Sequence, residues 1–251
     1  MTKAPTQISL ATDTDCKALA SIVLRAQEQD PYRKLLFDRS QPSSAQDEFD
    51  LAELLVWCGI QSDNCRVWKA VTEETRMLRK QQTAIGLSIL DFVNGEPEPP
   101  TSNSTSGEVA HVYRHRPQSL NLSLLESTLI ELERLQDTQV GEQKYFLWRH
   151  LYVLPEHQGE GIEAEMIQWG FEHFGLANHT VVVETTRPET FLRYGWKVVH
   201  VLNLDLGVWG GGKEAGANGY CVSVLLRNPG ELGSESLNIT ANSNEKGQHQ
   251  T

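Results

Sequence analysis

Apolar and polar positions along the first part of the chain predict two helices and three strands. A short strand at 8–10 precedes capping residues and a helix, whose apolar positions are Leu19, Ile22, Val23 and Ala26. A second helix is predicted over 45–59, with an inner side formed by Phe49, Leu51, Leu54, Leu55 and Trp57. Runs at 67–71 and 85–92 then predict two antiparallel strands joined by a polar turn.

Helices and strands alternate through the rest of the chain. One face of an amphipathic helix is predicted by leucines spaced 3, 4 and 3 residues apart, namely Leu122, Leu125, Leu129 and Leu132. The apolar run 145–154 predicts a buried strand that Pro155 ends, because proline cannot donate to a sheet ladder. A helix over 162–174 follows, and the remaining elements are strands at 181–183, 196–206 and 220–226 and a short helix at 187–194. This succession predicts a mixed α+β sheet.

Composition and charge favour a globular protein without polyanionic partners. Of the 251 residues, 39% are hydrophobic and 22% are charged, which argues against a disordered or fibrous chain. The net charge of −11 argues against electrostatic binding to nucleic acid or to an anionic membrane surface. The sequence has no long apolar run and no apolar leader. We therefore expect a cytoplasmic or nucleocytoplasmic protein that is neither secreted nor membrane-spanning.

Two polar segments set the limits of the predicted domain. Residues 94–108 contain three prolines and no aromatic residue, and residues 229–251 are similarly polar. Such segments bury too little apolar surface to fold. We expect one domain over 1–228, with a disordered insertion at 94–108 and a disordered tail at 229–251.

One turn has the pattern of an anion site. The strand that stops at Pro155 is followed by Gln158-Gly159-Glu160-Gly161, hereafter the signature turn, which opens directly into a helix. Glycine lets the backbone approach a ligand closely, and the first amides of a helix point toward whatever anion lies there. A diphosphate suits such a site, although the same turn can serve only to reverse the chain.

Several runs resemble motifs of a known superfamily. Residues 151–162 (LYVLPEHQGEGI), with 168–170 further on, resemble the acetyl-CoA signature of the GCN5-related N-acetyltransferases (GNAT). Within that superfamily they resemble the fungal members most. Residues 183–186 and 191–199 are similar to the following strand, short helix and aromatic-glycine turn, and 204–211 to the closing hairpin of the fungal group.

The resemblance implies a fold and an activity. The fold is the α+β GNAT fold, a mainly antiparallel mixed sheet of about seven strands with flanking helices, whose fourth and fifth strands splay apart to admit a pantetheine arm. The activity is acetyl-CoA-dependent N-acetyl transfer to a small amine or a protein N-terminus. In that chemistry a base removes the ammonium proton, and backbone amides polarise the thioester carbonyl.

The resemblance also implies which residues contact the cofactor. The backbones of Leu151 and Val153 are expected to pair with pantetheine like a missing strand. The residues expected to wrap the diphosphate are Gln158, Gly159, Glu160, Gly161, Ile162 and Glu163.

Two residues are candidate bases near the expected splay. His150 lies on the fourth strand, where an imidazole could accept a proton at neutral pH, or it could be hydrogen-bonded within the sheet. Glu184 ends the fifth strand and could deprotonate the amine, or it could cap the next helix. Metal-ligand spacing is lacking among His157, His173 and His179, so we expect no metal.

Three positions depart from the family pattern. Glu163 stands where the signature has glycine or alanine, Phe191 replaces the tyrosine that often protonates the thiolate, and Leu147 stands where several relatives carry a base. Residues 150–186 contain six glutamates and neither Lys nor Arg. Like charges repel, so this segment opposes the phosphates of acetyl-CoA, above all through Glu160, Glu163 and Glu165. The alternative is therefore a GNAT-fold protein that has lost acetyl-CoA use and serves as a binding module or catalyses other small-molecule chemistry.

Overall fold

The computed structural model describes residues 6–76, 79–93, 117–210 and 219–231. The predicted insertion at 94–108 and the predicted tail from 232 onward lie outside the described residues. The strands are Thr6–Leu10 (β1), Cys65–Arg76 (β2), Arg79–Val93 (β3), Tyr145–Val153 (β4), Thr180–Thr185 (β5), Lys197–Leu204 (β6) and Tyr220–Arg227 (β7). They form one sheet in the order β1-β2-β3-β4-β5-β7-β6, in which the β4–β5 pair is parallel and the other described pairs are antiparallel.

Helices cover both faces of this sheet. They are Cys16–Ala26 (α1), Pro31–Leu36 (α2), Ser44–Gln61 (α3), Leu122–Val140 (α4), Ile162–Phe174 (α5) and Pro188–Leu192 (α6). The larger core contains residues of α1, α3 and α5, and the smaller core contains residues of α4, β4, β5 and β7. Among the described helices, none combines the length and apolar character needed to cross a bilayer.

Buried tryptophans fix the position of α5 against the sheet. Trp68 and Trp148 are almost fully buried and meet edge to face, with their ring centroids 5.3 Å apart. A Cβ atom at Gly170 of α5 would lie 3.0 Å from Trp68 Cζ2 and 3.2 Å from Trp148 Cη2. The helix therefore approaches both rings as closely as a residue without a side chain allows. This contact also holds the signature turn, which precedes α5, beside the end of β4.

The predicted inner side of α3 is wrong in part. The buried positions of this helix are Ser44, Glu48, Ala52, Val56 and Gly59, whereas Leu55 and Trp57 are 38% and 37% exposed. A Cβ atom at Gly59 would lie only 2.9 Å from Val67 Cγ2. Because the helix lies this close to the sheet, only small side chains fit at the contact, and the larger ones turn away from it.

The parallel strands β4 and β5 separate after four residue pairs, as the resemblance implied. Their pairing runs from Tyr145 with Thr180 to Trp148 with Val183 and then stops. Beyond this point β4 continues along β3, and the last residues of β5 pair with β7. Arg149 is an extra residue in the β3–β4 ladder, and such bulges bend a strand. The splay thus begins at the bulge.

Candidate functional site

A cleft of about 1450 Å³ opens where β4 and β5 separate. This volume exceeds the roughly 300–1,000 Å³ of a common small-molecule site. The predicted site residues that line it are His150, Leu151, Val153, Gln158, Glu163 and Glu184. The remaining predicted site residues do not line the cleft but lie in the adjoining turn and at the start of α5. They are Gly159, Glu160, Gly161 and Ile162.

The open edge of β4 presents backbone polar groups to the cleft. Leu154 donates its amide to the Ile85 carbonyl of β3 at 2.9 Å. Because successive residues of a strand direct their amides and carbonyls to opposite sides, those of Leu151 and Val153 point away from β3 and into the gap. The Val153 carbonyl accepts a hydrogen bond of 3.0 Å from Gln158 Nε2. The backbone expected to pair with pantetheine is therefore exposed in the gap, and Gln158 covers one of its carbonyls.

Two glycines in the left-handed conformation shape the signature turn. Gly159 has a φ of 79° and Gly161 a φ of 86°, values that other residues rarely adopt. The first bond within α5 runs from the amide of Glu165 to the carbonyl of Gly161, at 3.1 Å. The amides of residues 162–164 therefore lack a partner within the helix and point out of its end. Ile162 can contribute only through its backbone, because its side chain is fully buried.

Arginines from outside the signature offset part of its negative charge. Arg25 of α1 contacts both carboxylate oxygens of Glu156 at 2.9 Å. Arg187, which follows β5 and lines the cleft, donates to Gln158 Oε1 at 3.2 Å. Glu163 is partly buried and also lines the cleft. The acidic residues on either side of the signature turn thus have two cationic neighbours, but the carboxylate of Glu163 borders the cleft.

His150 is unprotonated at neutral pH. Burial, and secondarily the charge of Arg149, lowers the pKa of His150 to about 4. Its Nδ1 atom lies 3.1 Å from the Tyr152 hydroxyl, and the two rings stack with centroids 5.3 Å apart. The same hydroxyl accepts a hydrogen bond of 2.6 Å from Gln27 Nε2. The imidazole therefore lines the cleft as a neutral, weakly basic group.

Glu184 lies at the end of β5 with its carboxylate held by α4. Gln136 Nε2 donates to Glu184 Oε1, and Gln136 Oε1 accepts a hydrogen bond of 2.9 Å from the Tyr145 hydroxyl. Burial raises the pKa of Glu184, although the bond from Gln136 and the charge of Arg149 oppose the rise. A carboxylate with a raised pKa is a better proton acceptor than an ordinary one. The hydrogen bond of Glu184 joins it to Gln136 of α4, whereas the structural alternative was that Glu184 caps the next helix, α6.

Two of the departures from the family pattern belong to the core. Phe191 is 4% exposed and meets Trp148 and Trp196 edge to face, with centroids 5.9 and 5.4 Å apart. Leu147 is fully buried in the smaller core. Apolar side chains at both positions follow from this packing.

Three residues of the site escaped the sequence analysis. Gln136 and Tyr145 carry no motif, and only the fold brings them to Glu184. Arg187 follows the last residue of the segment that lacks Lys and Arg, so a search extended by one position finds it. The leucines of α4 did give a signal, because their periodicity extends to Gln136 by one more step of four residues.

Comparison with known proteins supports the fold. No protein-family model matches the chain, and no curated protein matches its sequence. Arylalkylamine N-acetyltransferase 2 from Aedes aegypti superposes with a TM-score of 0.57 at 11% identity, covering 89% of this chain and 98% of that one. The polyamine N-acetyltransferase of Drosophila melanogaster gives 0.52 at 12% identity, with coverage of 89% and 100%. A Corynebacterium glutamicum protein described as histone acetyltransferase HPA2 and related acetyltransferase gives 0.53 at 12% identity, with 89% and 96%. Together with the strand order and the splay, these similarities show that the chain has the fold of the GCN5-related N-acetyltransferases.

Proposed function

We propose that this protein is an acetyl-CoA-dependent N-acetyltransferase of the fungal type that its motifs resemble, acting on a small amine or a protein N-terminus, with Glu184 as the general base. The gap beyond Trp148 and Val183 carries the proposal. It places an open strand edge and an ionisable carboxylate in one cleft. These are the two features that holding a thioester and deprotonating an amine require.

The residues present fit acetyl-CoA along most of its length. The exposed backbone of Leu151 and Val153 suits the amides of a pantetheine arm, once Gln158 releases the Val153 carbonyl. The amides at the start of α5 suit a diphosphate, and Arg187 adds a positive charge beside them. Among the described residues that line this end of the cleft, Glu163 is the one whose charge opposes the phosphates.

The chain's own residues supply the proton transfer and the orientation. Acetyl-CoA, when bound, provides the acetyl group as a thioester. Glu184 takes the proton from the substrate ammonium, which frees the nitrogen lone pair for attack. Gln136 and Tyr145 keep that carboxylate in one orientation. His150 is a weaker candidate for the base, because a group with a pKa of about 4 accepts a proton poorly at neutral pH.

Paired carboxamide variants test the proposal. Calorimetric titration of the wild-type protein with acetyl-CoA is expected to show binding, and thiol release with a panel of primary amines is expected to show transfer. Glu184→Gln is expected to keep the binding and to lose transfer by about 10²–10⁴-fold, the usual contribution of a general base. The control is Glu189→Gln, because Glu189 is exposed on α6 outside the cleft and should affect neither measurement. Absence of acetyl-CoA binding at millimolar concentration contradicts the proposal.

A second candidate function is that of a GNAT-fold protein without acetyl-CoA use. Two observations favour it, the position of Glu163 on the cleft and the hydrogen bond from Gln158 to the Val153 carbonyl. On this view, titration of the wild-type protein with acetyl-CoA gives no heat.

A further inference from the structure

Leucines form the wall of the cleft on the side of α4. The leucine row that the sequence predicts on this helix consists of Leu122, Leu125, Leu129 and Leu132, and all four line the cleft. Leu129 is 43% exposed. Three leucines of α3 line the same cleft, namely Leu51, Leu54 and Leu55. Leu55 is 38% exposed, and exposed leucines grouped in one apolar wall mark a surface that receives a ligand or a partner.

The leucine row leads away from the candidate base. Gln136, which holds Glu184, continues the spacing of the row and therefore lies on the same face of α4. At a rise of 1.5 Å per residue, Leu132, Leu129 and Leu125 lie ~6, ~10 and ~16 Å along the helix axis from Gln136. An apolar group attached to an amine at Glu184 would extend along this row.

The cleft's carboxylates near the leucines are neutralised by arginines. Glu48 is buried and pairs with Arg33, which is also buried, at 2.9 Å. Asp91 pairs with Arg149 in the same cleft. A second cationic group on a ligand would therefore compete with an arginine for either carboxylate.

The other carboxylates of the cleft are also unsuited to a second cation. Asp30 caps α2 through the amide of Tyr32 at 2.8 Å and accepts the Tyr220 hydroxyl at 2.9 Å. Asp63 is exposed on the turn after α3, and Glu163 lies at the start of α5, on the side of the signature turn. Glu184 is the cleft carboxylate that a hydrogen bond from Gln136 joins to the helix face carrying the leucine row, so it is placed to receive the cationic nitrogen of a ligand that extends along this row.

We infer that the acceptor is a primary amine with a single cationic nitrogen and a large apolar body, which the leucine row selects. The inference rests on the proposed function, because that function places the amine at Glu184. Continuity of the leucine row with the candidate base supports it, and so does the pairing of Glu48 and Asp91 with arginines. A polyamine as long as this apolar amine would place its second charged nitrogen among the leucines. An unpaired charge is strongly disfavoured in such surroundings.

An amine series tests the inference. The probes are n-propylamine, n-pentylamine and n-heptylamine, with 1,7-diaminoheptane as the matched dication. The value of kcat/KM is expected to rise by up to about fourfold for each added methylene group, the effect of burying a CH₂ group. Heptylamine is expected to exceed the diamine by at least about tenfold. Calorimetric titration of the same four amines measures the cleft's preference even if no transfer occurs, so that a failure of the proposed function is separated from a failure of this inference.

Two neighbouring residues of α4 give a matched pair of variants. Leu129 and Ile130 are both exposed, at 43% and 61%, but only Leu129 lines the cleft. Leu129→Gln is expected to lower the heptylamine-to-propylamine ratio of kcat/KM, and of affinity, about tenfold, whereas Ile130→Gln is expected to leave it unchanged. A series without dependence on chain length, or a preference for the diamine, overturns the inference. The inference is also overturned if Leu129→Gln changes the sedimentation coefficient of the protein but not that ratio. The leucine wall would then be a contact with a second copy of the chain.

Discussion

The side-chain amide of Gln136 donates a hydrogen bond to the carboxylate of Glu184 and so joins α4 to the end of β5. Gln136 is 8% exposed, and the Tyr145 hydroxyl holds its amide oxygen at 2.9 Å. The fold therefore orients this carboxylate with a neutral donor, and leaves it the raised pKa that burial produces. A buried carboxylate with a raised pKa is suited to accept a proton, but it destabilises the folded state when it is charged.

Glu184→Gln is expected to raise the melting temperature at neutral pH while it removes transfer. A carboxyl whose pKa is raised by folding stabilises the folded state fully below its ordinary pKa of 4.5, and this contribution is lost as the pH rises through the folded-state value. Glutamine is neutral at every pH and avoids that loss. Thermal unfolding at about pH 4 and pH 7 should show a larger advantage of the variant at pH 7. A smaller advantage at pH 7 would count against a buried charge at this position.

Gln136→Leu is expected to raise the pKa of Glu184 further and to shift the acidic limb of the pH profile of kcat/KM upward. A hydrogen bond to a charged group contributes about 1.5–3 kcal/mol, so its loss corresponds to a shift of roughly one to two pH units. Gln139→Leu is the control, since it removes a glutamine of the same helix, whereas the one that donates to Glu184 is Gln136. If both variants shift the limb equally, Gln136 does not act through Glu184.

The fold follows from the sequence because its signals are local. Pro155 ends β4 as predicted, and the left-handed glycines of the signature turn open α5 where expected. The splay was expected from the resemblance alone, and the pairing of β4 with β5 confirms it. The predicted strands at 67–71 and 85–92 are longer in the structure, where β2 and β3 pair from Cys65 with Asp91 to Arg76 with Arg79. Apolar periodicity marks only their buried central part.

The candidate site was less accessible to sequence reasoning because its contacts are distant along the chain. Gln136 and Glu184 are 48 residues apart, and Arg25 and Glu156 are 131 apart. Periodicity also cannot separate a side chain that faces the core from one that faces a cleft. For this reason the leucine row predicted the apolar face of a helix, but not that Leu129 would be 43% exposed in the cleft.

Arg187→Gln is expected to weaken acetyl-CoA binding by about tenfold. An arginine beside a phosphate forms a charge-assisted hydrogen bond, and 1.4 kcal/mol corresponds to one factor of ten in Kd. Titration at about 50 and 300 mM salt should show a weaker salt dependence for the variant than for the wild type. The control is Arg193→Gln, because Arg193 is exposed at the end of α6 outside the cleft. An equal loss in both variants would mean that only net charge matters.

Gly170→Ala is expected to destabilise the fold by about 1–3 kcal/mol, as overpacking of a core does. The new methyl group would meet Trp68 at 3.0 Å and Trp148 at 3.2 Å. Helix propensity alone predicts the opposite sign, a gain of about 1 kcal/mol from replacing glycine in a helix. The sign of the change in the free energy of unfolding, measured with urea, therefore shows which of the two effects dominates. A gain in stability would show that α5 can move away from the tryptophans without cost.

Removing the charge of Glu163 is expected to tighten acetyl-CoA binding. Two like charges about 6 Å apart repel by roughly 3 kcal/mol at an effective dielectric constant of 20, and solvent at this partly exposed position reduces the effect to about tenfold in Kd. Glu163→Gly introduces the small residue of the signature that the chain resembles. Because glycine also weakens a helix, Glu163→Gln is the variant that removes the charge alone. Glu165→Gln is the matched control, because Glu165 lies in the same first turn of α5 but outside the cleft. Tighter binding for the Glu163 variants alone would show that this carboxylate faces the phosphates. Unchanged binding in all three would mean that the signature turn tolerates its own acidity, and that the charge argument against acetyl-CoA use is void.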